Sequence, residues 1–161
     1  MKRKRKLKPL ANPIELAMKG VQRLTHKEVT KVIDGLRQSA ENMSKESWAD
    51  LADACRLTEA FNELRLTTGD ETAEIVVEAE QALIRIYYRA QSTQAWLTQE
   101  EDVAPLAWLI SLHDAQLRAT SRREYEQALT LVERKVQAAL KGNASPTRTF
   151  LVGNLGRVCQ H

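Results

Sequence analysis

Residues 47–64 read SWADLADACRLTEAFNEL and carry apolar side chains at helical spacing. Two apolar stripes, rotated by about 90° from each other, run along this helix. Their members are three or four positions apart: Trp48, Leu51, Ala52 and Cys55 in the first stripe, and Leu57, Phe61 and Leu64 in the second. A helix that is apolar on two sides is expected to be buried on two sides. We therefore predict that this helix, beginning near Ser44 or Ser47, lies at the centre of the domain.

Capping signals predict two helices before the central one. In the first, Asn12 precedes a proline, Glu15 follows three positions later, and the segment runs to Gly20. Asn accepts hydrogen bonds from the free N–H groups of a helix start, and proline fits the first helical position. In the second, Thr25 and Glu28 form a capping box. Four apolar residues then share one helix face: Val29, Val32, Ile33 and Leu36.

The helix after the central one is predicted to begin at Asp70. Gly69 is expected to end the preceding helix, and Asp is a preferred capping residue. Six residues form its apolar face: Val76, Ala79, Leu83, Ile86, Tyr87 and Ala90. We expect this helix to extend as far as Trp96.

The start of the following helix has two interpretations. Thr98 to Glu101 form a capping box, but Pro105 lacks the N–H that a helix interior requires. Either residues 98–102 form a short turn, or the helix begins near Asp102. Five residues then lie on one face: Leu106, Leu109, Ile110, His113 and Leu117.

The clearest helical pattern in the chain follows the capping box formed by Ser121 and Glu124. Its apolar residues recur at helical spacing, and Gly142 is expected to end the helix. We expect all of these apolar residues on the buried side: Tyr125, Ala128, Leu129, Leu131, Val132, Val136, Ala139 and Leu140.

These segments predict an all-α fold, a single-domain bundle of five or six helices with a basic N-terminal arm and a flexible C-terminal tail. A chain of 161 residues has the size of one ordinary domain. We expect residues 1–11 to form a basic disordered arm, 12–142 the helical domain, and 143–161 a flexible or partly docked tail.

Positive charge is concentrated in the arm, where six of the first eight residues are basic: Lys2, Arg3, Lys4, Arg5, Lys6 and Lys8. Residues 9–142 hold 16 Lys and Arg against 21 Asp and Glu, a net charge of 16 − 21 = −5. Blocks of like charge serve as interaction tails, and a basic tail can neutralise the phosphates of nucleic acid. We predict that these six residues bind DNA or RNA without reading its sequence. The alternative is a run that only aids solubility.

The sequence predicts no catalytic residue, metal site or cofactor, and we interpret the protein as non-enzymatic. Cys55 lies in an apolar stripe, where the pKa of a thiol rises and its reactivity falls. His113 shares a stripe with four apolar residues and is interpreted as a core histidine. The carboxylates at Asp50 and Asp53 share one helix face, which is typical of a solvated surface. No phosphate-binding glycine loop or nucleophile elbow is found.

Aromatic residues predict a protein interface. Tyr88, Trp96 and Trp108 are large side chains that the apolar stripes do not fully bury, and aromatic residues are frequent interface anchors. The expected partner is another protein or a second copy of the chain. Arg85 and Arg89 flank two tyrosines and could stack with them on bases. We favour the interpretation that these arginines lie at the edge of the core.

The remaining features predict a cytoplasmic protein. No apolar stretch approaches the ~20 residues that a membrane-spanning helix needs, and no apolar segment follows the basic start, so no secretory signal is predicted. Cys55 and Cys159 form neither a disulfide framework nor a metal motif, and we expect both as reduced thiols.

Two stretches carry a resemblance to a known group. Residues 1–9, MKRKRKLKP, together with residues 47–52, SWADLA, resemble small helical proteins encoded by bacterial prophages and other mobile elements. The resemblance implies a bacterial or phage setting, in the cytoplasm, and an accessory or regulatory role. It makes a host or phage protein the expected partner of the helical body. It implies no particular catalytic or binding residue.

Overall fold

The computed structural model of the protein describes residues 22–64 and 70–141, and it confirms the all-α prediction there. Five helices follow one another: α1 (His26–Glu41), α2 (Lys45–Glu63), α3 (Asp70–Thr93), α4 (Glu100–Ala119) and α5 (Arg122–Leu140). The predicted helix at 12–20, the arm at 1–11 and the tail at 143–161 lie outside the described residues.

Helix α2 is central, as predicted from its two stripes. It packs against each of the other four helices. Ser44 caps its start by accepting a hydrogen bond from the Ser47 N–H at 3.0 Å. Both stripes are buried except at Leu64, which is 37% exposed just beyond the helix end. The position of α2 therefore sets the positions of the other helices.

Trp48 anchors the start of α2 in the core. Its side chain is fully buried, and its indole N–H donates to the carbonyl of Leu83 on α3 at 2.8 Å. The rings of Tyr87 and Trp96 lie 5.6 and 5.8 Å from its ring. This aromatic cluster joins α2 to α3 and to the loop that follows α3.

The C-terminal ends of two helices, α3 and α2, differ from their predicted positions. Helix α3 ends at Thr93 rather than extending to Trp96, because Gln94 has a φ of 58°, in the left-handed region that terminates helices. The turn brings Trp96 back onto Trp48. Helix α2 ends at Glu63, before the predicted stop at Gly69.

The start of α4 agrees with the second predicted alternative to within two residues. A single helix begins at Glu100, two residues before the predicted start near Asp102, and it continues through Pro105 without a separate turn. The N-cap is Gln99, and the carboxylate of Asp102 accepts a hydrogen bond from the Gln99 N–H at 3.1 Å. The capping box is therefore formed by Gln99 and Asp102, one residue later than the predicted box of Thr98 and Glu101.

Helix α5 is less buried than its pattern predicted. Of its eight apolar residues only Ala128 and Ala139 are buried, whereas Leu129 and Leu140 are 43% and 50% exposed. Its main packing partner among the described helices is α2. The prediction that all eight lie on a buried side was wrong for Leu129 and Leu140. Among the described helices α5 packs mainly against α2, so the part of its apolar face that does not touch α2 stays exposed.

Candidate functional site

Helices α1 and α5 begin side by side at one end of the bundle. The backbone N–H of Arg122 donates to the carbonyl of Gln22 at 2.7 Å, and Arg23 pairs with Ser121 in an isolated β-bridge. The predicted capping boxes of both helices, at Thr25 and at Ser121, are present. The two N-termini are therefore held together by backbone as well as side-chain hydrogen bonds.

An ion pair closes this junction. One guanidinium nitrogen of Arg122, Nη2, donates to both carboxylate oxygens of Glu28, at 2.9 and 2.7 Å, in a charge-assisted contact. The same carboxylate accepts the Thr25 N–H of the α1 capping box at 2.7 Å. The Thr25 N–H, followed by the Arg122 guanidinium, lowers the pKa of Glu28 to about 2.

The low pKa of Glu28 predicts how the junction responds to acid. A depressed carboxyl pKa contributes stability that is present above the unfolded pKa of about 4.5 and is lost as the pH falls through about 2. We expect Glu28→Gln to lower the free energy of unfolding at pH 6, with the difference from the unsubstituted protein shrinking as the pH approaches 2. Urea unfolding at each pH measures this difference.

Measuring Glu28→Gln in an Arg122→Ala background separates the two causes of the low Glu28 pKa, the Thr25 N–H and the Arg122 guanidinium. Because the Thr25 N–H makes the larger contribution, the pH-dependent effect of Glu28→Gln should shrink but persist when Arg122 is absent. A pH-independent effect of Glu28→Gln in both backgrounds would contradict the proposed linkage.

Cations collect at the same end of the bundle, which we term the basic end: Arg23, Lys27, Arg118, Arg122 and Arg123. Lys27, Arg122 and Arg123 lie in the first turns of α1 and α5, Arg118 lies in the last turn of α4, and Arg23 lies just before α1. All five are exposed or half-exposed. With Glu28, Asp114 and Glu124, the local charge is 5 − 3 = +2. The described residues as a whole hold 14 Lys and Arg and 20 Asp and Glu, a net charge of 14 − 20 = −6.

Arg118 connects α4 to the basic end. Its side chain donates to Asp114 at 2.9 Å and to the Nδ1 atom of His26 at 2.7 Å. Its position in the last turn of α4 also complements the negative end of the helix dipole. The three helices that meet here are thus joined by polar contacts.

An apolar groove opens between α1 and α5 away from their junction, and α2 forms its floor. The groove encloses about 780 Å³. We term it the α1–α5 groove, and its apolar lining comprises Val32, Leu36, Ala54, Leu57, Leu129 and Val132. Val32 and Leu129 are 46% and 43% exposed on opposite walls. Gly35 leaves open space on the α1 wall.

His113 lies at the floor of the groove within a buried polar network. Its Nδ1 atom is 3.1 Å from the Thr58 hydroxyl, and the Gln116 side chain donates to Asn62 at 3.1 Å. Burial lowers the pKa of His113 to about 4, against the opposing effect of Asp114. His113 is therefore uncharged near neutral pH and bonded to core polar groups, as expected for a core histidine.

The other residue weighed for catalysis is also buried in the core. Burial raises the pKa of Cys55 well above its usual value, and its thiol donates to the Val76 carbonyl at 3.8 Å. Among residues 22–64 and 70–141, no group of three or more His, Cys, Asp or Glu side chains is arranged to hold a metal ion.

The predicted interface aromatics lie in different environments. Tyr88 and Trp108 are 57% and 51% exposed on α3 and α4. Trp96 instead is half-buried against Trp48 and Tyr87. No ring contact joins any two of these three residues. The six predicted nucleic-acid-binding residues lie outside the described residues.

A buried ion-pair network between α3 and α4 was missed by the sequence analysis. The fully buried carboxylate of Asp102 contacts Arg85 at 3.0 Å and also contacts Arg89. This places both arginines at the edge of the core, as favoured above. The available signal was the pair of arginines four positions apart, which lie on one helix face and can reach a common acceptor.

Comparison with known proteins leaves the family open. The sequence matches no protein-family model, and no curated protein and no solved structure is significantly similar to it. Within the described residues, no helix is both long and apolar enough to cross a membrane.

Proposed function

We propose that this is a non-enzymatic accessory protein that associates with nucleic acid through its basic arm and basic end, and whose helical body binds protein. The observation that carries the proposal is the segregation of charge. Six cations stand in residues 2–8, and five more stand at the basic end of a body whose described residues have a net charge of 14 − 20 = −6. A cytoplasmic setting and a bacterial or phage origin belong to the same proposal.

The path of the chain supports joint action of these two sets of cations. Gln22 is hydrogen-bonded at the start of α5, within the basic end. Residues 9–21 are the only link between that point and Lys8, and thirteen residues span at most about 45 Å. The arm therefore stays close enough to bind the same stretch of a polyanion as the basic end. Arg85 and Arg89 are engaged by carboxylates on α4, and within the basic end Arg118 and Arg122 are likewise engaged by Asp114 and Glu28.

Fluorescence anisotropy of a labelled DNA duplex and an RNA strand tests the proposal. If the arm neutralises six phosphates, the affinity of the full chain should fall about 10³-fold between 50 and 200 mM salt. Replacing the six arm cations by glutamine should weaken binding at low salt and flatten the salt dependence. Unchanged affinity and salt dependence after this replacement would overturn the proposal.

A second pair of variants tests the basic end. Lys27→Gln should reduce the slope of log affinity against log salt by about one, as expected for one lost phosphate contact. Lys45→Gln removes the same charge at the start of α2, away from the basic end, and serves as the matched control. Equal effects of both variants would exclude the basic end as the contact surface and leave the arm alone.

Exposed apolar residues on α4 favour a second candidate function, a protein-interaction module in which the arm is incidental. Val103 and Trp108 are 57% and 51% exposed and lie on one side of α4 together with Ala104 and Ala107. Capture of partners from nuclease-treated bacterial lysate distinguishes the two functions. A partner retained by the protein but lost with Trp108→Ala favours the second function. A partner lost after nuclease treatment favours the first.

A further inference from the structure

One side of α5 carries polar side chains without an acid along the whole length of the helix. This side lies opposite the buried Ala128 and Ala139. Its six residues follow one another at alternating spacings of four and three, and all are exposed: Arg123, Gln127, Thr130, Arg134, Gln137 and Lys141. We term them the α5 stripe. Each of these side chains can donate hydrogen bonds to a phosphate oxygen.

The composition of the α5 stripe departs from that of the surrounding surface. The described residues as a whole hold 20 Asp and Glu against 14 Lys and Arg, so that acids outnumber bases on the body. The outer side of α3, for comparison, exposes Glu71, Glu74 and Glu78. A stripe of six exposed donors that includes three cations is therefore a local concentration of positive charge on an acidic body.

The cations of the stripe also differ in their contacts from the other cations of α5. Arg122 and Lys135 are bound by carboxylates of neighbouring helices. Arg123, Arg134 and Lys141, in contrast, form no ion pair with any residue in the ranges 22–64 and 70–141. Their charges are available to an anion from outside the molecule.

A cleft of about 420 Å³ runs along the first part of the stripe, between α5 and the end of α2. Arg123 and Arg134 are the first and last α5 residues that line it, and they lie eleven residues, or about 16.5 Å, apart along the helix. Leu64 and Leu131 form its apolar part. Two arginines at this spacing fit successive charges of an extended polyanion better than a single small anion.

Acidic residues border the stripe on one edge and narrow the contact. Glu126 lines the same cleft, and Glu133 follows it seven residues later. At 100° per residue both are turned about 60–80° from the centre of the stripe. With Glu126, the charge of the cleft is 2 − 1 = +1. A polyanion is thus attracted along the centre of the stripe and repelled at this edge.

The stripe begins at the basic end and continues it along the body. Arg123 belongs to both surfaces, and Lys141 lies eighteen residues, or about 27 Å, farther along. Duplex DNA places one phosphate per strand about every 3.4 Å of its axis, so this length corresponds to about eight base pairs. Phosphates next to those bound at the basic end therefore come within reach of Arg134 and Lys141.

We propose that the α5 stripe binds a phosphodiester backbone that runs from the basic end along α5. The inference rests on the proposed function and deepens it, because it assigns the helical body its own extended contact with nucleic acid. Donors to phosphate oxygens recognise a chemistry that DNA and RNA share. The experiment therefore includes both.

Fluorescence anisotropy of full-chain variants with the labelled DNA duplex and the RNA strand tests the stripe. Arg134→Gln should reduce the slope of log affinity against log salt by about one, as expected for one lost phosphate contact. Lys135→Gln is the matched control, because it removes the same charge one residue away, on the side of α5 that faces α2. It should leave the slope nearly unchanged. Equal slopes in the two variants would overturn the inference.

Glu126→Gln tests the stripe in the opposite direction. Removing the acid at the edge of the cleft should strengthen binding about threefold at low salt, the size of a single exposed charge interaction. Glu74→Gln removes an exposed acid on α3 and should leave the affinity unchanged. Equal affinities in these two variants would count against a backbone in the cleft and overturn the inference. An effect confined to the duplex or to the RNA strand supports it and identifies the source of the phosphates.

The glutamine variant of the arm separates this inference from the proposed function. Arm-dependent binding in which Arg134→Gln and Lys135→Gln behave alike would overturn the stripe and leave the proposed function standing. Binding that depends on Arg134 but not on the six arm cations would do the reverse. Polyglutamate bound as tightly as nucleic acid, and through Arg134, would overturn the assignment to a phosphodiester backbone. No binding of either nucleic acid at 50 mM salt would overturn both.

Discussion

Asp102→Ala should cost about 2–3 kcal/mol of unfolding free energy, because it removes charge-assisted hydrogen bonds and a helix cap while the two partner arginines stay partly exposed and keep Glu101. The Asp102 carboxylate is fully buried and contacts the guanidinium groups of Arg85 and Arg89 as well as the Gln99 N–H. Removing it leaves Arg89, only 20% exposed, without its main counter-charge and leaves the start of α4 uncapped. Urea unfolding followed by circular dichroism measures the loss.

Glu101→Ala is the matched control for this prediction. Glu101 lies one residue earlier and contacts the same two arginines at 3.5 Å, but its side chain is 59% exposed. Exposed pairs contribute about 0–1 kcal/mol. Similar losses for Asp102→Ala and Glu101→Ala would mean that the burial of Asp102 does not increase its contribution to the unfolding free energy.

A triple variant tests whether the network stabilises the fold or only becomes costly when broken. Replacing Arg85 and Arg89 by methionine and Asp102 by leucine removes the buried carboxylate together with both of its partner charges and leaves only the exposed Glu101. Buried ion pairs replaced by apolar residues of similar volume are often neutral in stability. We therefore expect the triple variant to recover most of the loss seen in Asp102→Ala.

Local patterns predicted the helices well because their causes are local. The capping boxes at Thr25 and Ser121 each depend on residues three positions apart, and both are present in the structure. The central position of α2 followed from its two stripes. The N-cap of α4 could not be predicted in this way, because Asp102 is fixed by Arg85 and Arg89, more than ten residues away on another helix.

The groove was outside the reach of sequence patterns for a similar reason. The apolar spacing of α5 correctly predicted a helix, but it does not specify which of its apolar residues another helix covers. The placement of α5 beside α1 depends on contacts such as that between Glu28 and Arg122, which are 94 residues apart in the sequence. The charge of the arm, in contrast, could be read directly, since it depends only on composition.

Trp48→Ala is expected to cause the other large loss, about 3–5 kcal/mol of unfolding free energy, the range for removing a fully buried aromatic side chain. The substitution empties the junction of α2, α3 and the loop after α3, and it removes the donor to the Leu83 carbonyl. Trp48→Phe keeps a ring but gives up the hydrogen bond and part of the volume, so we expect an intermediate loss.

Trp108→Ala provides the contrast that makes the Trp48 prediction specific to position. Trp108 is the same residue type but is 51% exposed on α4, so its removal should change the unfolding free energy by no more than about 0.5 kcal/mol. Thermal or urea unfolding of the three variants side by side ranks them. Because Trp48 joins α2 to α3 whereas Trp108 faces outward, comparable losses at the two positions would contradict a core organised around α2.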